Sequence, residues 1–190
     1  MKIIAGFARG VELASPEDAP GVRPTLGRSR EALFNSLGDL AGARVLDLFS
    51  GSGALGLEAA SRGAGTVVMV ELDRSRLKVI EENIRRVGLT GAPGEVRAVA
   101  ADATRPETYL GDGGFDVVLA DPPYAESLAA YLKLASAGGG FFACFAGAKV
   151  VWEIPDAPGA AGEFIAPAAE AGANWDLRRS GGTEFLWLRL

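Results

Sequence analysis

Residues 44–73, RVLDLFSGSGALGLEAASRGAGTVVMVELD, leave this chain few choices of fold. The apolar, Val/Leu-rich run at 44–49 reads as a strand buried on both faces of a parallel sheet. Asp47 stands near its C-terminal end, the edge on which open α/β sheets bind ligands. Gly51 and Gly53 follow, able to take positive φ and to admit a ligand close to the backbone. Residues 54–62 are helix formers, and Gly63 sits where a C-cap is expected. Residues 66–70 form the next strand, closed by Glu71. That carboxylate comes twenty residues after Gly51, the offset at which a dinucleotide-type fold places the acid that accepts ribose hydroxyls. Strand, glycine turn, helix, strand and terminal acid predict half of an adenosine-binding sheet.

Gly51-Ser52-Gly53-Ala54-Leu55-Gly56 matches G-x-G-x-x-G, which makes a nicotinamide dinucleotide the first rival cofactor. Two features point elsewhere. Asp47, four residues ahead of Gly51, would repel a pyrophosphate resting on the helix N-terminus, whereas S-adenosylmethionine brings an ammonium to that place. The second feature is Asp121-Pro122-Pro123-Tyr124, at the end of a later strand over 115–120. Two prolines fix φ at about −65° and remove two backbone donors, leaving a stiff turn whose carbonyls can accept. With a carboxylate and an aromatic face beside it, that turn makes a site for a planar ring bearing an amino group. S-adenosylmethionine is the expected cofactor.

The chain has no histidine and a single cysteine, Cys144. This removes the usual imidazole base and metal ligands, the Ser-His-Asp hydrolases, an internal disulfide and a cysteine-rich metal site. No metal is expected, and Cys144 reads as a small buried apolar residue. No apolar run approaches the ~18 residues that span a bilayer, and no signal-peptide core opens the chain; a cytoplasmic protein, off the membrane, is expected. Its 190 residues predict one domain; a monomer is the expectation, though length does not dictate it. Net charge is −5, yet residues 1–30 carry +2 and the remainder −7. Lys2, Arg9, Arg23, Arg28 and Arg30 supply the positive charge. An acidic body with a basic front edge suits a phosphate-bearing partner that touches only that edge; ordinary solvated cations are the plain alternative.

Residues 2–6 and 10–13 predict a short hairpin or extended arm, and 15–24 a Pro-rich loop. Thr25 is a fair N-cap for a helix over 28–37, where Ala32, Leu33, Phe34 and Leu37 are spaced for one face. Asp73 caps a helix over 74–87 with Leu77, Ile80, Ile84 and Val87 as its apolar stripe. A strand follows at 95–100, with Asp102 just beyond its end. A helical turn at 106–110, a helix at 125–137, a further turn at 141–146 and a strand at 149–154 complete the alternation. Residues 156–172, rich in Ala, Gly and Pro, read as an irregular linker. Residues 175–179 and 184–190 form a hairpin around Ser180-Gly181-Gly182. The fold class is α/β: a Rossmann-like, seven-stranded methyltransferase sheet with a C-terminal antiparallel hairpin and a short N-terminal hairpin and helix extension.

Ile3-Ile4-Ala5-Gly6 with Arg9-Gly10, Arg23-Pro24-Thr25, Arg30-Glu31 and Leu33-Phe34-Asn35 precede the sequence Asp47-Leu48-Phe49-Ser50-Gly51-Ser52-Gly53-Ala54-Leu55-Gly56 and the Asp-Pro-Pro-Tyr turn. In this combination the chain resembles the bacterial 16S rRNA guanine-N2 methyltransferase family. Asp-Pro-Pro-Tyr alone is shared with adenine-N6 and glutamine-N5 methyltransferases, so it speaks for chemistry; the N-terminal block speaks for substrate. Those two methyl transfers, and a non-catalytic nucleotide-binding module, are the alternatives. Where family members usually read Trp-Arg-Gly-Arg-Lys, this chain has Ala8-Arg9-Gly10-Val11-Glu12, with one cation.

The resemblance implies a division into an RNA-contacting extension (1–40) and a cofactor-binding core (41–190). Gly51 and Gly53 would pass under the methionine part of S-adenosylmethionine with Asp47 near its ammonium, and Glu71 would accept the ribose hydroxyls. Asp102 would accept from the adenine amine and Ala103 offer its N–H, with Phe49 and Leu72 alongside. Thr25, with Arg23, matches the family's N-terminal cofactor contact. Asp121 and the Pro122 carbonyl would hold the target amine, Tyr124 would stack on the extruded base, and Lys2, Arg9, Arg23, Arg28 and Arg30 would meet 16S rRNA of the small ribosomal subunit.

Overall fold

The computed structural model describes residues 1–15, 27–89, 95–111, 114–136, 144–180 and 182–190. Among them the strands β1 (Arg44–Leu48), β2 (Thr66–Glu71), β3 (Glu95–Ala100), β4 (Val117–Ala120), β5 (Lys149–Ile154), β6 (Asn174–Ser180) and β7 (Thr183–Arg189) form one sheet in the order β3-β2-β1-β4-β5-β7-β6. β1 to β5 are parallel, and β7 runs antiparallel between β5 and β6. The strand order reverses between β1 and β4, the switch point at which such sheets bind ligands. The predicted fold class is the observed one.

Alternation across the pleat sorts the strand residues into two cores. Val45, Val67, Met69, Leu119 and Val151 face α1 (Gly27–Leu37), α2 (Ala54–Ser61) and α3 (Arg74–Arg86), meeting Phe34, Leu57 and Ile80. Leu46, Val68, Val118 and Trp152 face α4 (Tyr124–Ser136) and α5 (Ala160–Glu170), meeting Tyr131, Leu134 and Phe164. Burial on both faces is why β1, β2 and β4 read as unbroken apolar runs. Each such side chain contributes roughly 1.5–3 kcal/mol of burial free energy.

The N-terminal arm folds back on itself through Ile3 N to Val11 O (3.0 Å), Gly10 N to Ile3 O (2.9 Å) and a Lys2–Glu12 bridge. It is fastened to α2. The fully buried Glu58 accepts from Ile4 N (2.7 Å), Ala5 N (3.0 Å) and Arg62 Nε (2.8 Å). Gly6, at φ 80°, lies so close that a Cβ would fall 1.7 Å from the Ser61 carbonyl oxygen, so glycine is required there.

Two expectations are corrected. Where composition predicts an irregular linker over 156–172, α5 forms: Phe164 and Ala168, one turn apart, bury fully. Pro167 removes one helical hydrogen bond, and the packed face outweighs that loss. Cys144 is exposed, because its neighbour Phe145 takes the buried position. The turn expected over 141–146 lies partly outside the described residues.

Candidate active site

The sheet's C-terminal edge at the switch point opens with a strained turn. Phe49, directly after β1, has φ 59°, a left-handed conformation costing a bulky residue about 1–3 kcal/mol. Its ring is held edge-on to Trp152, centroids 5.9 Å apart. Gly51 and Gly53 continue with φ 58° and 79°. A Cβ on Gly56 would meet Met69 Cγ at 2.6 Å and Asp47 Oδ2 at 3.0 Å, so this glycine lets α2 lie directly on β1 and β2. On Gly51 the nearest atom to a Cβ would be 4.0 Å away. The turn is packed underneath and open beside Gly51.

Two carboxylates brace this turn. Glu71, 6 % exposed, accepts from Gly51 N through Oε2 and from Asp73 N through Oε1, both at 2.9 Å. The twenty-residue offset read from the sequence thus becomes a direct bond between the ends of β1 and β2. Asp47 is 1 % exposed and its Oδ2 accepts from Gly56 N at 2.9 Å. Burial pushes its carboxyl up to about 7, with Asp121 and Glu71 adding to the rise and the Gly56 bond opposing it. Gly56 N occupies one Asp47 oxygen, so the carboxyl is braced against α2 at the edge where sequence expects the ligand ammonium.

Beyond β3, Asp102 accepts from Thr104 N (2.8 Å) and Thr104 Oγ1 (2.6 Å), with Arg105 and Lys133 each 3.7 Å from it. Burial alone would raise its carboxyl, but the Thr104 bonds and the two cations hold it below the ordinary range. It stays an anion. Ala103 is buried and its carbonyl accepts from Tyr109 Oη at 2.7 Å. Leu72 is 69 % exposed, an apolar lip beside Glu71.

At the end of β4 the Asp-Pro-Pro-Tyr turn leads into α4, whose first residue is Tyr124. Pro122 is buried, while Tyr124 keeps 44 % of its surface exposed. Its hydroxyl donates to Glu153 Oε1 at 2.9 Å. Glu153, 5 % exposed on β5, is a site residue that the sequence reading missed. A second is Asn83, fully buried on α3, which donates to Ser52 O (2.9 Å) and Ala14 O (3.0 Å) and accepts from Ala14 N (2.7 Å). It ties the N-terminal arm to the glycine turn. In sequence it looked like one more polar position between Ile80 and Ile84.

The basic edge is thinner than its sequence. Arg9 and Arg28 are exposed, and Lys2 is paired with Glu12 at 3.2 Å. Arg30 is not a surface cation: it is 2 % exposed, 4.0 Å from Glu58, and donates to Met1 Sδ and the Lys2 carbonyl. It shares the inward stripe of α1 with Leu33, Phe34 and Leu37, and that position withdraws it from the phosphate-contacting set. Arg23 and Thr25 lie outside the described residues.

Asp47, Glu71, Asp102 and Asp121 bring carboxyl groups to this edge, a donor set that suits a nucleoside carrying a cationic tail better than a pyrophosphate. An open glycine backbone, a buried acid at the end of β2 and an apolar lip fit S-adenosylmethionine in the same way. Sheet order and site together define a methyltransferase-type α/β protein. The chain belongs to the family described as "Conserved hypothetical protein 95", whose model matches residues 1–138. It is 40 % identical over 131 residues to Ribosomal RNA small subunit methyltransferase D of Escherichia coli (strain K12), covering 67 % of this chain and 62 % of that protein. It thus spans under two thirds of that relative's length. It is 34 % identical over 127 residues to the Putative rRNA methyltransferase YlbH of Bacillus subtilis (strain 168), covering 66 % of this chain and 68 % of the other. Among solved structures, the putative methyltransferase yhhF from Escherichia coli aligns with TM-score 0.68 and 31 % identity, over 100 % of this chain and 97 % of that one. A hypothetical protein of Thermus thermophilus gives 0.71 and 32 %, over 100 % and 99 %.

Proposed function

We propose that this protein transfers the methyl group of S-adenosylmethionine to the exocyclic N2 of a guanine in 16S rRNA of the small ribosomal subunit. The observation that carries the reading is the convergence, at one sheet edge, of the Glu71-braced glycine turn with Asp121-Pro122-Pro123-Tyr124, whose aromatic ring is half exposed. Relatives named as small-subunit rRNA methyltransferases support the substrate class, and so does the N-terminal block for the guanine. In this reading residues 1–40 form the RNA-facing extension, with Lys2, Arg9 and Arg28 among its exposed cations.

The cofactor supplies a methyl group on a sulfonium, already activated for displacement. Glu71 receives the ribose hydroxyls, Asp102 the adenine amine, and Gly51 and Gly53 clear the approach for the methionine end. A guanine N2 amine is a poor nucleophile because its lone pair is delocalised into the ring. Hydrogen bonds from its two protons to the Asp121 carboxylate and the Pro122 carbonyl favour a pyramidal nitrogen and aim the lone pair at the methyl carbon. Tyr124 stacks on the extruded base. Catalysis is then positioning and electrostatics, which needs no imidazole.

Mass spectrometry of nucleosides from 16S rRNA incubated with the protein and labelled cofactor tests the proposal. N2-methylguanosine is expected. N6-methyladenosine, or label confined to protein, overturns the substrate, and tight NADH binding in place of S-adenosylmethionine overturns the cofactor.

A further inference from the structure

We propose that Glu153 is a positioning residue of this site, sharing one proton with Asp121 and holding the Tyr124 hydroxyl, so that a single buried carboxyl orients both groups that meet the target base. The inference rests on the function proposed above for Asp121 and Tyr124.

The sheet register brings the two acids together. β4 and β5 pair in parallel with Leu119 beside Val151 and Ala120 beside Trp152. One step further along both strands sets Asp121 next to Glu153 on the same face. Neighbours in adjacent parallel strands are about 4.8 Å apart, so the carboxyls meet. Glu153 is 5 % exposed; its Oε1 takes the Tyr124 hydroxyl at 2.9 Å, while its Oε2 is enclosed with no N–H or O–H donor on it among the described residues. Asp121 approaches from β4, Tyr124 from α4, and from β7 the register partner is the apolar Phe185.

Two carboxylates in contact inside a protein do not both ionise; they hold one proton between them. Burial first, and then the Asp121 charge, push the Glu153 carboxyl up to about 8, against the smaller pull of the Tyr124 bond. The proton therefore rests on Glu153, the more buried partner, and Asp121 is the anion. Protonated Glu153 donates to the Asp121 carboxylate and so orients it toward the target amine. As the nitrogen–methyl bond forms, the sulfur–methyl bond breaks and its electron pair stays on sulfur. The surplus proton on nitrogen passes to the Asp121 carboxylate, leaving both carboxyls neutral until water removes one proton. Ionising Glu153 abolishes the bond that aims Asp121, so transfer should fall as pH rises through about 8.

The test begins on the ligand-free protein, labelled with 13C at the glutamate carboxyls and titrated by NMR. One glutamate should titrate above pH 7, vanish in Glu153→Gln and move down by at least one unit in Asp121→Asn. Single-turnover transfer then separates the roles. Glu153→Gln keeps a permanent donor toward Asp121 and an acceptor for Tyr124; it should retain transfer within about threefold and lose the alkaline fall. Glu153→Ala should lower transfer about 10- to 100-fold. A glutamate set that all titrates below pH 6, or a midpoint unmoved by Asp121→Asn, overturns the shared proton whatever the substrate proves to be. Absence of methyl transfer by the wild type, with the NMR result as expected, would instead count against the function and leave the carboxyl pair standing.

Discussion

At the ends of β1 and β2 the buried carboxylates are held by backbone N–H groups: Asp47 by Gly56, Glu71 by Gly51 and Asp73. At the ends of β4 and β5 Asp121 and Glu153 are held by each other and by a phenol. Backbone donors do not titrate, and these sit in the turn and helix that follow β1 and at the start of α3, so the first pair is fixed by the fold. A carboxyl pair with one proton can take up and release charge, which is what a site meeting a developing cation requires. The two halves differ in what holds their acids, and in the proposed function that difference separates binding from chemistry.

The largest effect should come from the β4 end. Asp121→Ala should slow single-turnover methyl transfer about 10²- to 10³-fold, the scale of losing one transition-state contact, with cofactor affinity unchanged by calorimetry. Next comes Glu71→Ala at the β2 end, which loses acceptors worth about 1.5–3 kcal/mol per hydrogen bond. Cofactor Kd should rise roughly 10- to 100-fold, and thermal stability should fall as Gly51 and Asp73 lose their partner.

Asp47 tests the fixed half through stability. Its carboxyl is raised in the fold from 3.8 to about 7, so the ionised form costs stability. That cost is absent below about 3.8, grows as pH rises and is complete above about 7. Asp47→Asn keeps an acceptor for Gly56 N, so by calorimetry it should melt higher than wild type at pH 8, with the gain disappearing by pH 3.5. A lower melting point at pH 8 would contradict the assignment. The smallest effect concerns the basic edge. Neutralising Arg9 and Arg28 should lower rRNA affinity and flatten its salt dependence by up to ~0.7–0.9 log unit per phosphate contact. Arg30→Met should leave that slope alone and change stability instead, since Arg30 is buried on Glu58.

The β1–β2 half was legible in sequence because its contacts are local: Asp47, the glycines and Glu71 fall within one strand–turn–helix–strand unit. The Asp-Pro-Pro-Tyr turn was legible for the same reason. Glu153 was not, since it meets Tyr124 across 29 residues and only the pairing of β4 with β5 aligns it with Asp121. Asn83 was hidden likewise, its partner Ala14 lying 69 residues away. Arg30 misled because charge was counted without the helical face: its spacing from Leu33, Phe34 and Leu37 was the available signal. Helix α5 was masked by composition, although Phe164 and Ala168 already stood at helical spacing.

Binding and chemistry are most directly separated by measuring single-turnover transfer for Glu71→Ala and Asp121→Ala over rising cofactor concentration. Saturating cofactor should restore Glu71→Ala to near the wild-type rate and leave Asp121→Ala slow at every concentration. A wild-type rate for Asp121→Ala, or a Glu71→Ala defect that no cofactor concentration relieves, would contradict the account.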